Sequence, residues 1–296
     1  MTKARKALLI GFGLYVAVFV LLLAIYGFSQ HKNNEFQIQN EFKLTEWVHL
    51  GVLSINRAVL YLFISAVLTV VTMVWIAGRM QTRPNKIQTA VEVLFSLMRD
   101  NITRGNMSDS MAAKWFPFIG TLFLFIWFCN LIGYLPLPTN TEEKFSLFGA
   151  HIPSFALYAA TANISVPLVL ALIVFVAFIT VGIRTQGPIG YLKSLVPAGV
   201  HGPMLLLIFP IEVISTLMRL LSLTIRLWAN IFAGHIILLF LAGGLAVILG
   251  LQALGWFALP AGILIYLFEL GLVATLQAFI FATLAAIYIA GAATHH

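Results

Sequence analysis

The chain has 296 residues, of which 61% are hydrophobic and 9% are charged, and its formal net charge is +7. Soluble domains carry about 25% charged residues, so this chain has too little polar surface to cover a water-facing body. The composition therefore excludes a soluble enzyme, a disordered chain and a nucleic-acid-binding protein, and it indicates an integral membrane protein.

The first apolar run, residues 7–28, follows three basic residues. A basic start, an apolar stretch and small residues near its end are typical of a signal peptide. The run is also long enough to cross a bilayer core about 30 Å thick as a helix. We expect residues 1–30 to form a retained signal-anchor helix, with a cleaved signal peptide as the alternative. Residues 31–56 are then predicted to be extracytoplasmic.

Further apolar runs at 59–78, 115–135 and 160–183 predict membrane helices. Between the first two, residues 85–106 carry apolar side chains three and four positions apart. This spacing is typical of an amphipathic helix lying on a membrane surface. With the amino terminus inside, most Lys and Arg residues outside the apolar runs fall inside, as the positive-inside rule requires. Both termini and the amphipathic helix are therefore predicted to be cytoplasmic.

The carboxyl-terminal third is almost wholly apolar. Residues 205–249 would measure about 68 Å as one helix, roughly twice the thickness of a bilayer core. No Pro or Gly interrupts the run between 211 and 233, so we predict one strongly tilted helix. This tilted helix and the last apolar run of the chain together predict a tilted hairpin over 204–290. The fold class is all-α, a multi-pass membrane protein with about six membrane helices, and residues 57–296 are expected to form its main domain.

Polar side chains recur along the predicted tilted helix at steps of three and four residues, which places them on one helix face. We call this set the polar seam; its members are Glu212, Ser215, Arg219, Ser222, Arg226 and Asn230. An Arg at bilayer depth costs about 2.5–3.5 kcal/mol on insertion scales, so such a residue usually marks an ion path. The alternative is that an Arg reaches a lipid headgroup or tethers a neighbouring helix. Glu212 is a candidate tether for Arg219, whereas Arg226 has no acidic residue nearby in the seam.

Three further polar residues lie in the apolar carboxyl-terminal region: His235, Glu269 and Gln277. A His titrates near neutrality, and burial raises the pKa of a carboxyl group, so His235 and Glu269 are suitable partners in a proton relay. The alternative is a buried hydrogen-bonded pair that only joins two helices. Periodicity alone does not choose between the two.

The residues of this region resemble subunit a of the F-type ATP synthase. The matching runs are IEVISTLMRLLSLTIRLWANIFAGH at 211–235 and TLQAFIFATLAAIYIA at 275–290, with FCNLIGYLPLP at 128–138 and TANISVPLVLAL at 161–172. The resemblance covers about residues 40–290. It implies that Arg226 is the family's essential arginine, facing carboxylates on the rotating c ring.

The resemblance also implies roles for the other polar residues. Asn230 and Gln277 would be neighbours of Arg226 at the rotor interface, and Ser215, Arg219 and Ser222 would line the same seam. Glu212, His235 and Glu269 would belong to two aqueous half-channels. The implied partners are the c-subunit ring, the b subunits of the peripheral stalk, the remaining ATP synthase subunits and membrane lipid. The implied location is the plasma membrane of a bacterium, in preference to an organellar membrane.

Two features depart from the family pattern. Glu269 lies eight residues before Gln277, whereas the usual partner lies seven before. Eight α-helical steps rotate the side chain about 80° from the same face, so Glu269 can join the site only if a local bulge corrects the register. The predicted amino-terminal helix is also additional to the family's five spans.

Nothing in the sequence predicts a catalytic site. The phosphate-binding, dinucleotide-binding and metalloprotease motifs are absent, so we expect no cofactor, no metal and no nucleotide chemistry on this chain. The alternative function is a stand-alone secondary transporter or ion channel, with Arg226 binding an anionic substrate. That class often shows inverted repeats, and none is visible here. A scaffold without transport is a third possibility, but polar residues that only join helices rarely need six positions in line.

Overall fold

A computed structural model describes residues 11–18, 20–21, 46–50, 53–79, 85–147, 150–196, 203–241 and 252–293. Of the predicted amino-terminal anchor, residues 11–18 and 20–21 are helical, and the rest of that prediction lies outside the described residues. The chain divides into two compact units. One unit combines Met1–Lys43 with Ala233–Gly271, and the other combines Leu44–Phe232 with Leu272–His296.

The described helices follow the apolar runs of the sequence. They are α1 Arg57–Arg79, α2 Lys86–Ser96, α3 Asp109–Gly133, α4 Ser165–Gln186, α5 Pro188–Ser194, α6 Pro203–Leu239, α7 Gln252–Phe268 and α8 Ala274–Ala293. Within the described residues, five stretches are long and apolar enough to cross a membrane: Arg57–Trp75, Asp109–Gly133, Ser165–Gln186, Met204–Leu239 and Ala258–Ala293. The predicted class of a helical, multi-pass membrane protein is confirmed.

Two antiparallel hairpins, which the sequence did not predict, lie between helices. The strands are β1 Glu46–Leu50 with β2 Leu53–Asn56, and β3 Leu137–Leu147 with β4 Ala150–Ala156. In the second hairpin Leu137 lies opposite Ala156. Pairing satisfies backbone donors and acceptors in connections that have no helix of their own. The apolar periodicity of the spans carries no information about these connections, which is why the strands were missed.

The predicted amphipathic helix is present as α2, continued by a π-helix, Leu97–Arg104. The side chain of Asn85 caps its amino terminus, accepting a hydrogen bond from the Gln88 backbone N–H at 2.8 Å. The apolar face packs against α3, with the rings of Phe95 and Phe116 edge to face at 5.1 Å. Helix α2 is therefore attached to the bundle by the same residues that gave it its amphipathic pattern.

The core of the second unit surrounds α3, which packs against α1, α8 and the Leu97–Arg104 π-helix. Helix α8 also packs against α4. Fully buried alanines line α8 at Ala274, Ala278, Ala282, Ala285 and Ala286. Small residues allow helix backbones to approach closely, which is how membrane helices associate when lipid is as apolar as their side chains.

Helix α6 is one uninterrupted helix of 37 residues. Its length, about 56 Å, exceeds what an upright span needs, and the strong tilt stays a prediction. The last part of the predicted run, residues 242–249, lies outside the described residues. Only 6% of the most apolar stretch of this helix is buried, against 56% for α3. Most of the surface of α6 is thus available to lipid or to another protein.

Candidate functional site

The polar seam lies along the exposed surface of α6. Glu212 is half-buried, whereas Ser215, Arg219, Ser222, Arg226 and Asn230 are exposed. The residues that α6 buries in the second unit, Thr216, Leu223, Thr224, Leu227 and Ile231, occupy other faces of the helix. A helix turns about 100° per residue, which separates the centre of the seam from the buried side by roughly a quarter turn. The fold therefore brings the six predicted residues together in a row that lies beside the buried side of α6 and not within it.

Arg226 has no hydrogen bond or ion pair within the described part of the chain, and its side chain is exposed. Its apolar neighbours differ in environment, since Leu227 is buried while Ile225 is 51% exposed. The cation therefore stands at the border between the packed side of α6 and its free apolar side. A charge in this position can interact with an acidic group on a partner that covers α6.

Arg219 has a different environment from Arg226. Its guanidinium lies over the ring of Tyr288 on α8, 5.6 Å from the centroid, in a cation–π geometry. That ring in turn packs edge to face on Phe178 of α4, with centroids 6.1 Å apart. No ion pair joins Arg219 to Glu212, the tether considered from the sequence. Arg219 is thus anchored within the chain by an aromatic ring.

The other unit contains His235 and Glu269, which are 1% and 8% exposed. The carboxyl group of Glu269 lies directly against Gly234, the residue before His235. A Cβ atom added to Gly234 would lie 2.5 Å from Oε2, 2.6 Å from Cδ and 2.7 Å from Oε1 of Glu269. Glycine therefore makes space for the carboxyl group on α6, and the structure brings the two helices that carry His235 and Glu269 together.

A π-helix, Glu269–Val273, joins α7 to α8 and begins at Glu269 itself. A π-helical turn contains about one residue more than an α-helical turn. A helix that includes such a turn needs eight residues to rotate through the angle that seven would otherwise cover. The structure therefore contains the local bulge that the spacing of Glu269 and Gln277 required. Gln277 is buried on α8.

The sequence missed a buried polar group at the start of α1. Arg57 is 1% exposed, and its guanidinium lies over the ring of Tyr158 at 5.5 Å. Burial raises the pKa of the Tyr158 hydroxyl above its ordinary value of 10.0. In the sequence, Arg57 lies two residues before the apolar run at 59–78 and has the usual position of a flanking charge. A flanking position gives no signal that distinguishes a solvated charge from one covered by an aromatic ring.

A second buried polar group joins α3, α8 and the 3-10 turn Ala160–Ala162 that precedes α4. The Thr161 hydroxyl donates to Oδ1 of Asn130 at 2.9 Å, and Nδ2 of Asn130 donates to the Ala274 carbonyl at 3.3 Å. Beside them, the Trp127 indole donates to the Thr275 hydroxyl at 3.0 Å. Asn130 lies in the last turn of α3, after a long apolar stretch, and that isolated amide was the available signal for a buried contact.

Comparisons with known proteins indicate the family of this chain. Residues 59–290 match the family model described as ATP synthase A chain. The chain is 36% identical over 252 residues to the ATP synthase subunit a of Rubrobacter xylanophilus, an alignment that covers 82% of this chain and 88% of that protein. It is 31% identical over 265 residues to the subunit a of Pelagibacter ubique, covering 89% and 97%. It is also 34% identical over 252 residues to the subunit a of Gluconobacter oxydans, covering 83% and 92%.

Proposed function

The chain belongs to the ATP synthase A chain family, and from this premise we propose that it is the proton-translocating stator subunit of an F-type ATP synthase membrane sector. It would provide two aqueous half-channels and a fixed arginine, Arg226, that faces the carboxylates of the c ring. The observation that carries the proposal is the exposure of Arg226 in the polar seam of α6, a helix that its own chain leaves largely uncovered.

The chemistry of Arg226 follows from the cost of placing ions in lipid. A rotor carboxyl group that faces lipid must be protonated, because the carboxylate would bear a severe desolvation cost. When that group reaches Arg226, the guanidinium stabilises the anion and lowers the pKa of the carboxyl group. The proton therefore leaves into one half-channel, and the carboxylate takes up another proton from the second.

The fixed charge of Arg226 also separates the two half-channels. A proton that moved directly along the seam would have to approach a guanidinium that keeps its positive charge at any physiological pH. Protons must then travel on the rotor, so their flow is coupled to rotation. Each charge that crosses 100 mV releases about 2.3 kcal/mol, which biases the direction of rotation.

We assign Glu212 to one half-channel and the pair His235 and Glu269 to the other, with Ser215, Ser222, Asn230 and Gln277 as polar neighbours. Three observations support the pair. Both side chains are buried, the carboxyl group of Glu269 rests on Gly234, and a π-helix adjusts the register of the helix that carries Glu269. A buried carboxyl group and a buried imidazole on adjacent helices can exchange protons near neutral pH.

The proposed partners are the c ring along the polar seam, the b subunits of the peripheral stalk and the other ATP synthase subunits. The proposed location is a bacterial plasma membrane with both termini in the cytoplasm, which agrees with the bacterial relatives. No catalytic role is proposed for the chain itself. A stand-alone transporter has less support, because the relatives carry the name of an ATP synthase subunit.

The substitution Arg226→Ala tests the function. We expect proton-driven ATP synthesis in membrane vesicles to fall at least 100-fold, because the rotor carboxylate loses its counter-charge, which is a loss of about 2.7 kcal/mol or more. The amount of assembled complex should stay unchanged, since Arg226 is exposed and makes no hydrogen bond or ion pair within the described part of the chain. The matched control is Arg184→Ala, which replaces an exposed arginine in the last turn of α4. Coupled synthesis retained by the Arg226→Ala complex would disprove the assignment.

A further inference from the structure

One directed hydrogen bond joins α6 to the connection before α4. The Trp228 indole N–H donates to the backbone carbonyl of Ala162 at 2.9 Å. Trp228 is half-buried and lies two residues after Arg226. Because α6 buries so little of its own surface, the contacts that it does make have a large share in fixing its orientation.

The acceptor of this bond is held in place from several sides. Ala160 and Thr161 are fully buried, and Thr161 is hydrogen-bonded to Asn130 of α3. The chain before the turn also lies very close to α3, because a Cβ atom added to Gly133 would lie 2.6 Å from the Cβ atom of Ala159. The Ala162 carbonyl therefore cannot follow α6 if that helix turns about its axis.

The donor is held as well. An indole has a single N–H group, so Trp228 can satisfy it only in one direction. The ring is stacked on that of Phe232, one turn further along the same helix, with centroids 5.2 Å apart and an interplanar angle of 16°. With both ends fixed, the bond defines one rotational position of α6 about its axis.

That rotational position determines where Arg226 points. Two residues correspond to about 200° around a helix, so Trp228 and Arg226 project in nearly opposite directions. We propose that the hydrogen bond from Trp228 to the Ala162 carbonyl is a rotational clasp, which holds α6 so that Arg226 faces the rotor. Trp228 is then a positioning residue for ion translocation. This proposal rests on the proposed function of Arg226.

The clasp has a mechanical purpose in a rotary motor. Each passing carboxylate attracts the Arg226 guanidinium along the direction in which the ring moves. A helix that was free to roll would let the guanidinium follow the carboxylate, and the proton would then be released and taken up at the wrong place. A stator helix needs a fixed contact on the face opposite the moving charge, and Trp228 occupies that face.

The experiment uses Trp228→Phe in the complete ATP synthase, because phenylalanine keeps an aromatic ring and removes the N–H donor. The orientation of α6 is measured by disulfide cross-linking to a cysteine placed beside the ring carboxylate, in a Cys129→Ala background. Single probes are Asn230→Cys, in the polar seam, and Ile225→Cys, on the exposed apolar side about 140° away. With Trp228 present, we expect the yield at position 230 to exceed that at position 225.

In Trp228→Phe complexes we expect the ratio of the two yields to fall at least threefold, and ATP synthesis to fall severalfold in the complex without probes. Yields are normalised to assembled complex, so a lower amount of complex does not affect the ratio. The matched control is Trp115→Phe on α3, whose ring packs edge to face on Phe118 at 5.6 Å. This control should leave both the ratio and the synthesis rate unchanged.

A second variant, Thr161→Val, loosens the acceptor while leaving Trp228 intact, and it should lower the same ratio in the same direction. An unchanged ratio in Trp228→Phe and in Thr161→Val would overturn the clasp even if Arg226→Ala abolishes synthesis. Conversely, if Arg226→Ala retains synthesis, the proposed function fails, while the cross-linking ratio still reports whether Trp228 fixes the rotation of α6.

Discussion

Three arginines of this chain have different physical environments. Arg57 is covered by the ring of Tyr158, Arg219 lies over the ring of Tyr288, and Arg226 is exposed in the polar seam. An aromatic face attracts a guanidinium electrostatically, so rings within the chain stabilise both the buried Arg57 and the exposed Arg219. Within the residues that the structure describes, no ring lies over Arg226, and its charge is available to a partner.

Gly234 is the residue on which the position of Glu269 depends. Its missing side chain leaves the space that the carboxyl group occupies. In Gly234→Ala the added methyl group displaces that carboxyl group, and forced displacement in a packed site costs about 1–3 kcal/mol. We therefore expect ATP-driven proton pumping in vesicles to fall about tenfold.

The control for Gly234→Ala is Gly291→Ala on α8, where an added Cβ atom meets nothing within 4 Å. That variant should pump at the normal rate, because alanine favours a helix over glycine. Normal pumping by Gly234→Ala would show that the carboxyl group of Glu269 does not need its position against α6.

At the scale of elements, π-helices continue two of the regular helices, at Leu97–Arg104 after α2 and at Glu269–Val273 after α7. Such segments often occur at functional sites, because the extra residue changes which face of the helix a side chain occupies. The second begins at Glu269, where the sequence spacing demanded a change of register. The first continues α2, and exposed charges stabilise it.

Asp100 connects two arginines in the Leu97–Arg104 π-helix. The hydrogen bond from Arg99, at 3.0 Å, holds the pKa of the Asp100 carboxyl group below its ordinary value of 3.8, and Arg104 acts in the same direction. A lowered pKa means that folding favours the carboxylate. This stabilisation is complete above the ordinary pKa and is lost as the pH falls through the lowered value.

The variant Asp100→Asn measures that contribution. We expect amide hydrogen exchange in Leu97–Arg104 to be faster in Asp100→Asn than in the native complex at about pH 6, with the difference shrinking as the pH falls below the ordinary carboxyl pKa of 3.8. High salt should also reduce the difference, since the Asp100 side chain is 41% exposed and ion pairs at a surface are screened. A difference that persists unchanged in acid would refute a role for the carboxylate.

At the scale of the whole molecule, the chain leaves one of its longest apolar helices largely uncovered. Leu217, Met218, Leu221 and Ile225 on α6 are each more than two-fifths exposed, next to the polar seam. Apolar side chains can face lipid, but the guanidinium and amide groups of the seam need a polar or charged surface. We therefore expect a partner subunit to cover the seam in the assembled complex.

Purification in mild detergent tests this requirement. We expect the chain to be recovered with a ring of small two-helix subunits, and the cross-link from Asn230→Cys to that ring to form in the purified complex. The cysteine probe Val176→Cys, on an exposed position of α4, serves as the control and should not cross-link to the ring. Recovery of an isolated chain that transports ions alone would favour the transporter alternative.

The sequence by itself determined the membrane class, most of the helices and the membership of the polar seam. These follow from composition and from periodicity of 3.6 residues, because lipid forces backbone groups to bond within each helix. It also identified Glu269 as a residue that needed a change of helical register. Periodicity indicates which side chains share a helix face, but it does not indicate which helix, lipid or partner contacts that face.

Only the tertiary structure decided what each polar residue contacts. It placed Tyr288 beside Arg219, the carboxyl group of Glu269 against Gly234, and the Trp228 indole against the Ala162 carbonyl. These contacts join residues that are far apart in the chain or involve a backbone group, which has the same chemistry at every position. Their partners depend on how helices pack, and packing is determined by the shapes of many side chains together.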